Sequence, residues 1–302
     1  MPQITIGTAS WTDKSLIASK RFYPRGCSSA EDRLRFYASQ FPVVEVDSSY
    51  YAMPSAANSR LWVERTPASF VFNIKAFRLF TGHQTAPASL PRDIAEALGP
   101  PPAGKKNFYY ADIPGEIRDE LWDRYRDAIT PLRGGGKLGA VLFQFAPWVA
   151  FHPRNREHID ECLERLAGFR LAVEFRNKSW FEGDHCDRTL AFERERGLVN
   201  VIVDEPNVTA NSIPSVWEVT VPELAIVRLH GRNHATWNIK GEAASERFNY
   251  DYTDKALEDL GRKISDLPVE RAQVIFNNNC EDQGQRNART LQSIIAQACR
   301  QN

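Results

Sequence analysis

The feature that most constrains the fold of this chain is a short apolar run that stops on polar or charged residues, repeated along the sequence. Leu171-Ala-Val-Glu-Phe-Arg-Asn-Lys-Ser-Trp180 is the fullest case. The same event closes Val43-Val-Glu-Val-Asp47, Phe70-Val-Phe-Asn-Ile-Lys75, Ala140-Val-Leu-Phe-Gln-Phe145, Leu198-Val-Asn-Val-Ile-Val-Asp204 and Leu224-Ala-Ile-Val-Arg-Leu-His230. Ala272-Gln-Val-Ile-Phe276 runs into Asn277-Asn-Asn279, and Ile4-Thr-Ile-Gly7 runs into Thr8-Ala-Ser-Trp11. Near-continuous runs of Val, Ile, Leu and Phe are what a parallel sheet covered on both faces requires.

Between these runs, apolar residues recur at helical spacing. The pattern predicts helices over 31–40, from Ser55 as N-cap to before Pro67, and over 116–129, 154–167, 187–196, 253–266 and 283–299. Eight strands alternating with helices in 302 residues specify an α/β fold, a (β/α)8 TIM-barrel-like single domain over 1–302. Residues 81–131, with the Pro-rich stretch Gly99-Pro-Pro-Pro-Ala-Gly-Lys-Lys106, read as an insertion after strand 3. A long loop with Trp237, Lys240 and Tyr250 follows strand 7. A doubly wound sheet is the alternative, but the glycine fingerprint G-x-G-x-x-G is absent after the first strand.

Composition removes several classes of function. Lys+Arg and Asp+Glu both number 38, so the chain is not globally basic, and nucleic acid stays open as a partner only through a local patch. No apolar run has membrane-spanning length and no signal peptide is read, so a cytoplasmic protein without a membrane partner is expected. The five cysteines, Cys27, Cys162, Cys186, Cys280 and Cys299, are widely spaced with no C-x-x-C, which indicates neither a disulfide framework nor a zinc knuckle. No cofactor and no metal are expected.

Side chains alternate across a strand, so each strand sorts its own residues. Glu174 and Arg176 oppose Val173 and Phe175. Glu45 and Asp47 oppose Val44 and Val46, Asn73 and Lys75 oppose Phe72 and Ile74, and Gln144 opposes Phe143. Arg228 and His230 oppose Val227 and Leu229, and Asp204 opposes Val203. A helix layer must cover the apolar faces, because a charge pressed against it costs several kcal/mol. The polar set therefore points to the barrel axis near its C-terminal mouth, where barrel enzymes keep their sites.

Two explanations fit this set. Four acids (Glu45, Asp47, Glu174, Asp204) against Lys75, Arg176, Arg228 and His230 could form a self-satisfied ion-pair network. Alternatively the mouth binds a small molecule that is anionic or rich in hydroxyls. In that case Glu45 and Glu174 are candidate catalytic acid/base groups. Trp11, Asp47, Tyr50, Lys75, Gln144, Arg176, Trp180, Asp204, Arg228, His230, Asn277 and Asn278 are then the candidate ligand-binding residues, the aromatics by stacking and the cations by clamping an anion. His83 in the insertion is read as an exposed loop residue, and His152 and His158 as surface.

Gly7-Thr-Ala-Ser-Trp11, Phe22-Tyr-Pro24, Glu45-Val-Asp-Ser-Ser-Tyr-Tyr51, Phe72-Asn-Ile-Lys75, Leu142-Phe-Gln-Phe145, Glu174-Phe-Arg-Asn-Lys-Ser-Trp180, Val227-Arg-Leu-His-Gly231 and Phe276-Asn-Asn278 together resemble the YecE-like proteins, catalogued as a domain of unknown function. The resemblance implies a TIM-barrel-like fold and no particular activity. The chain departs from that pattern with Ser10 in place of a glycine, Ala146 in place of a proline and Asn177 in place of a histidine. The expected function is an enzyme acting on a small molecule at the barrel mouth. A nucleic-acid-binding or repair-like protein, and a non-catalytic ligand sensor, are the competing readings.

Overall fold

The computed structural model describes residues 1–206, 212–237 and 246–301. Its strands are β1 Gln3–Ala9, β2 Val43–Val46, β3 Val71–Lys75, β4 Leu138–Gln144, β5 Leu171–Glu174, β6 Val199–Asp204, β7 Ala225–Leu229 and β8 Arg271–Phe276. They form a closed parallel barrel in chain order, with β8 pairing back onto β1. The helices are α1 Lys14–Ser19, α2 Ala30–Gln40, α3 Ser48–Tyr51, α4 Ala56–Glu64, α5 Arg92–Leu98, α6 Gly115–Gly134, α7 Pro153–Arg165, α8 His185–Arg196, α9 Asp254–Ser265 and α10 Gln283–Gln301. All eight expected strands form, with ends shifted by a few residues. The short helices α1, α3 and α5 went unread, because a helix of one or two turns carries too few apolar repeats to register. Lys240 lies outside the described residues.

By internal contacts the chain divides into two compact units, residues 1–45 with 178–302, and residues 46–177. In the first, β1 and β2 come together at a glycine. A Cβ on Gly7 would sit 1.9 Å from the Val43 carbonyl oxygen, so only a residue without one allows this approach. Tyr37 of α2 secures the place, its hydroxyl accepting from Thr8 N–H at 2.8 Å and donating to that Val43 carbonyl at 3.1 Å. Ser29 caps α2 in a reciprocal box with Asp32, and Asp13 caps α1. Ser10 is held at φ 66°, the left-handed region that glycine favours.

In the second unit, α6 runs directly into β4 and packs on α4, so the later part of 81–131 fills the place of the helix after β3. The earlier part carries α5, two 3-10 turns and an isolated antiparallel bridge between Thr85 and Phe108. Trp122 of α6 stacks on Phe80 at 3.6 Å and fastens this segment to the core. Asn73 takes a structural part: the β3–β4 register shifts between Phe72 and Ile74, and the Asn73 side-chain oxygen accepts from Ala140 N–H at 3.0 Å there. Lys137 enters β4 buried, donating to the Val63 and Thr66 carbonyls at the end of α4. Ala146 N–H donates to Thr81 O at 3.0 Å, a bond that proline could not make. Asn177 donates to Pro147 O at 2.6 Å.

Candidate functional site

In the unit containing residues 1–45 and 178–302, Glu45 lies near the C-terminal end of β2 and Arg228 near that of β7. Arg228 Nε donates to Glu45 Oε2 at 2.9 Å and Nη2 to Oε1 at 2.5 Å, a two-pronged pair with both side chains fully buried. Arg228 Nη1 stands 3.4 Å from His230 Nε2, and the Asn277 amide reaches His230 Nδ1 at 2.8 Å. Asn278 donates to Tyr250 O and to Asn287 Oδ1, joining the end of β8 to α10 and the preceding loop. At the end of β6, Asp204 accepts from Arg232 through both oxygens (2.9 Å and 2.7 Å) and from the Tyr252 hydroxyl at 2.7 Å. Burial and the Asp204 carboxylate together push the Tyr252 phenol well above its usual range. Hydrogen bonding to Asp204 raises the Arg232 guanidinium despite partial burial.

In the unit of residues 46–177, the last residue of β5, Glu174, is also fully buried. Its Oε1 accepts from Gln144 Nε2 at 2.5 Å and from Arg176 Nη1 at 3.2 Å. The end of β3 carries a different arrangement. Lys75 Nζ lies 3.6 Å from Asp47 Oδ1 and 4.9 Å from the centre of the Tyr50 ring. Arg78 stands 5.2 Å from the same ring. Its guanidinium makes no hydrogen bond or ion pair among the described residues, and its Nε is buried without a partner. His83 packs edge-on against Tyr50 at 5.2 Å and holds Thr81 Oγ1 at 2.8 Å through Nδ1. Burial, reinforced by Lys75 and then Arg78, drives the His83 imidazole down to about 3, so it is neutral. Burial pushes the Tyr50 phenol up to about 12 although Arg78 pulls the other way.

The structure places the expected site residues at different depths. Glu45, Glu174, Arg228, Asn278 and Trp180 are fully buried. Glu45 is engaged through both oxygens and Glu174 by two donors, an arrangement that holds a charge in place rather than presenting it for proton transfer. Trp180 is core, its carbonyl accepting from the Thr189 hydroxyl at 2.7 Å. Trp11 is likewise buried. His83, expected to be exposed, is half-buried, and His158, expected at the surface, lies half-buried against the Phe80 carbonyl and Glu161, whereas His152 is exposed and caps α7. The strand-end residues that keep accessible surface include Asp47, Tyr50, Lys75, Gln144 and Arg176. Among the described residues no three His, Cys, Asp or Glu side chains converge as a metal ion would require. No described helix is long and apolar enough to cross a membrane.

Arg78, Arg232 and Tyr252 were not foreseen. Arg78 follows Lys75 by three residues and Arg232 follows His230 by two, so both lie in loops just past strand ends. Following each polar strand end a few residues into its loop would have found the two arginines. Tyr252 offered no such signal.

Comparison with known proteins agrees with this architecture. The family model described as "Protein of unknown function DUF72" matches residues 5–302. The UPF0759 protein YunF of Bacillus subtilis is 30% identical over 298 residues, covering 97% of this chain and 94% of that protein. A DUF72 family protein of Enterococcus faecalis superposes with a TM-score of 0.79 at 26% identity, covering 97% of this chain and 96% of that one. One from Thermotoga maritima gives 0.73 at 25% identity, covering 97% and 99%. A barrel with these strand ends, matched over nearly its whole length, is a member of the DUF72 family.

Proposed function

We propose that the protein binds a small anionic molecule at the C-terminal end of β3, with Arg78 and Lys75 pairing the anion. The observation that carries this is the unpaired Arg78 guanidinium. A half-buried cation without a partner is costly, and a ligand anion is the natural complement. Among the described residues Asp47 is the carboxylate that pairs with Lys75. Both cations lie within about 5 Å of the Tyr50 ring, and neutral His83 can exchange a hydrogen bond with the ligand without adding charge. The buried pairs Glu45–Arg228 and Glu174–Arg176 fit a supporting role, and their engagement favours ligand binding over acid/base catalysis by the two glutamates. We take the YecE-like designation as a synonym for the family.

The test is calorimetric titration with inorganic phosphate and a series of phosphorylated and carboxylated small molecules. Arg78→Ala is expected to weaken binding of any member that binds by tenfold or more, roughly the worth of one charge-assisted pair. An affinity unchanged in Arg78→Ala and in Lys75→Ala sinks the proposal. Salt-dependent binding of duplex DNA tighter than that of every small anion would favour the nucleic-acid reading instead.

A further inference from the structure

A cleft of about 420 Å³ lies between α6, α7 and the loops before them, and its Trp148 meets His83 of the strand-end group at 5.7 Å. Its volume suits one ring-sized molecule. Trp148 forms one side; its Nε1 donates to Gly82 O at 3.0 Å while the side chain stays 54% exposed. Arg118 stacks on the Tyr110 ring at 5.1 Å, its Nε buried without a partner, and its guanidinium makes no hydrogen bond or ion pair among the described residues. Arg154 also lines the cleft, and its side chain makes no such bond either.

The remaining charges of the cleft are largely used up. His158 Nε2 reaches Phe80 O at 2.7 Å and Nδ1 faces Glu161 Oε2 at 3.5 Å, so both nitrogens point at oxygens and the ring is an imidazolium. Burial works against that charge, but Cys162, Glu161 and the Phe80 carbonyl outweigh it and push the imidazole up to about 10. Glu161, which also accepts from the Tyr110 hydroxyl at 2.7 Å, is held down to about 2, chiefly by the His158 hydrogen bond. The acid and the imidazolium cancel. Arg118, Arg154 and the His158 imidazolium against Glu157 and Glu161 leave the lining positive beside an exposed indole, and Arg118 helps to hold Glu161 down.

We infer that this cleft is a second binding site, for a planar aromatic carboxylate whose ring stacks on Trp148 and whose carboxylate pairs with Arg118 and Arg154. Stacking and a planar bidentate carboxylate pair are the interactions these groups are shaped to make. The inference does not rest on the strand-end site.

The experiment titrates the full chain with 4-hydroxybenzoate, with benzyl alcohol and cyclohexanecarboxylate as controls, followed by ligand-detected NMR and calorimetry. Saturable binding of 4-hydroxybenzoate is expected, weaker by tenfold or more in Arg118→Gln and in Trp148→Ala. Each control, lacking either the charge or the flat ring, is expected to bind at least tenfold more weakly. No saturable binding up to roughly 10 mM overturns the inference. So does an affinity that the Arg118 and Trp148 variants leave intact, or one matched by either control. Circular dichroism of each variant separates lost binding from lost folding. Where Trp148→Ala fails to fold, Trp148→Leu keeps the bulk and removes the stacking ring.

Discussion

Arg228 grips Glu45 through both carboxylate oxygens, at 2.9 Å and 2.5 Å, across 183 residues of sequence and wholly out of solvent. Removing one partner leaves a buried charge alone. Glu45→Ala and Arg228→Met are each expected to lose about 3–5 kcal/mol of stability. Replacing both by apolar residues removes the unpaired charge, so the double variant should lose far less than the sum. A double-mutant cycle by urea denaturation checks this. Additive losses would show that the pair is not a single electrostatic unit.

Glu193 of α8 is a buried carboxyl in the opposite situation, with neither oxygen hydrogen-bonded among the described residues. Burial raises it well above 4.5, opposed only in part by Arg194. The folded state therefore keeps a proton that the unfolded chain releases above 4.5. The stability linked to this group is complete below that pH and is lost as pH rises through the folded value. Glu193→Met is expected to gain about 1–3 kcal/mol at pH 7, the cost of an unsatisfied buried polar group. Denaturation between pH 4 and pH 8 should show a decline in the native protein that the variant lacks; parallel profiles would refute the assignment.

The contact between Gly7 and the Val43 carbonyl predicts intolerance to a single methyl group. Gly7→Ala forces backbone apart at the β1–β2 pairing, because a Cβ would meet that oxygen at 1.9 Å. The expected loss is at least about 3 kcal/mol. Tyr37→Phe, which removes the hydroxyl bonding Thr8 N–H and the Val43 carbonyl, should cost about 1–3 kcal/mol. Thermal melting of the two variants checks the order. A Gly7→Ala protein as stable as the parent would mean that the strands can separate freely.

Much of the architecture was legible because its causes are local. The apolar runs at Leu171–Glu174 and Val199–Asp204 become strands, and Ser55 and Thr253 cap α4 and α9 as their side chains suggest. Ser10 marks the limit of that legibility. The backbone there takes φ 66°, a left-handed conformation that the residue type does not announce. Alternation put Asn73 on the axis-facing side of its strand, yet a register shift between two strands claims its amide oxygen. Nothing near Asn73 in sequence encodes that shift.

The sequence alone determined the strand-and-helix alternation, the family, and the strand ends on which polar groups would gather. Each follows from the pleat of one strand, the period of one helix or a motif read in order. The tertiary structure decided which charge meets which. It gave Glu45 to Arg228 and Asp204 to Arg232, buried Glu174 and Trp180, and left the Nε of Arg78 and of Arg118 without a hydrogen bond among the described residues. The physical reason is that alternation belongs to a single segment. Pairing and burial depend on where other segments, often far off in the chain, are brought when the sheet closes.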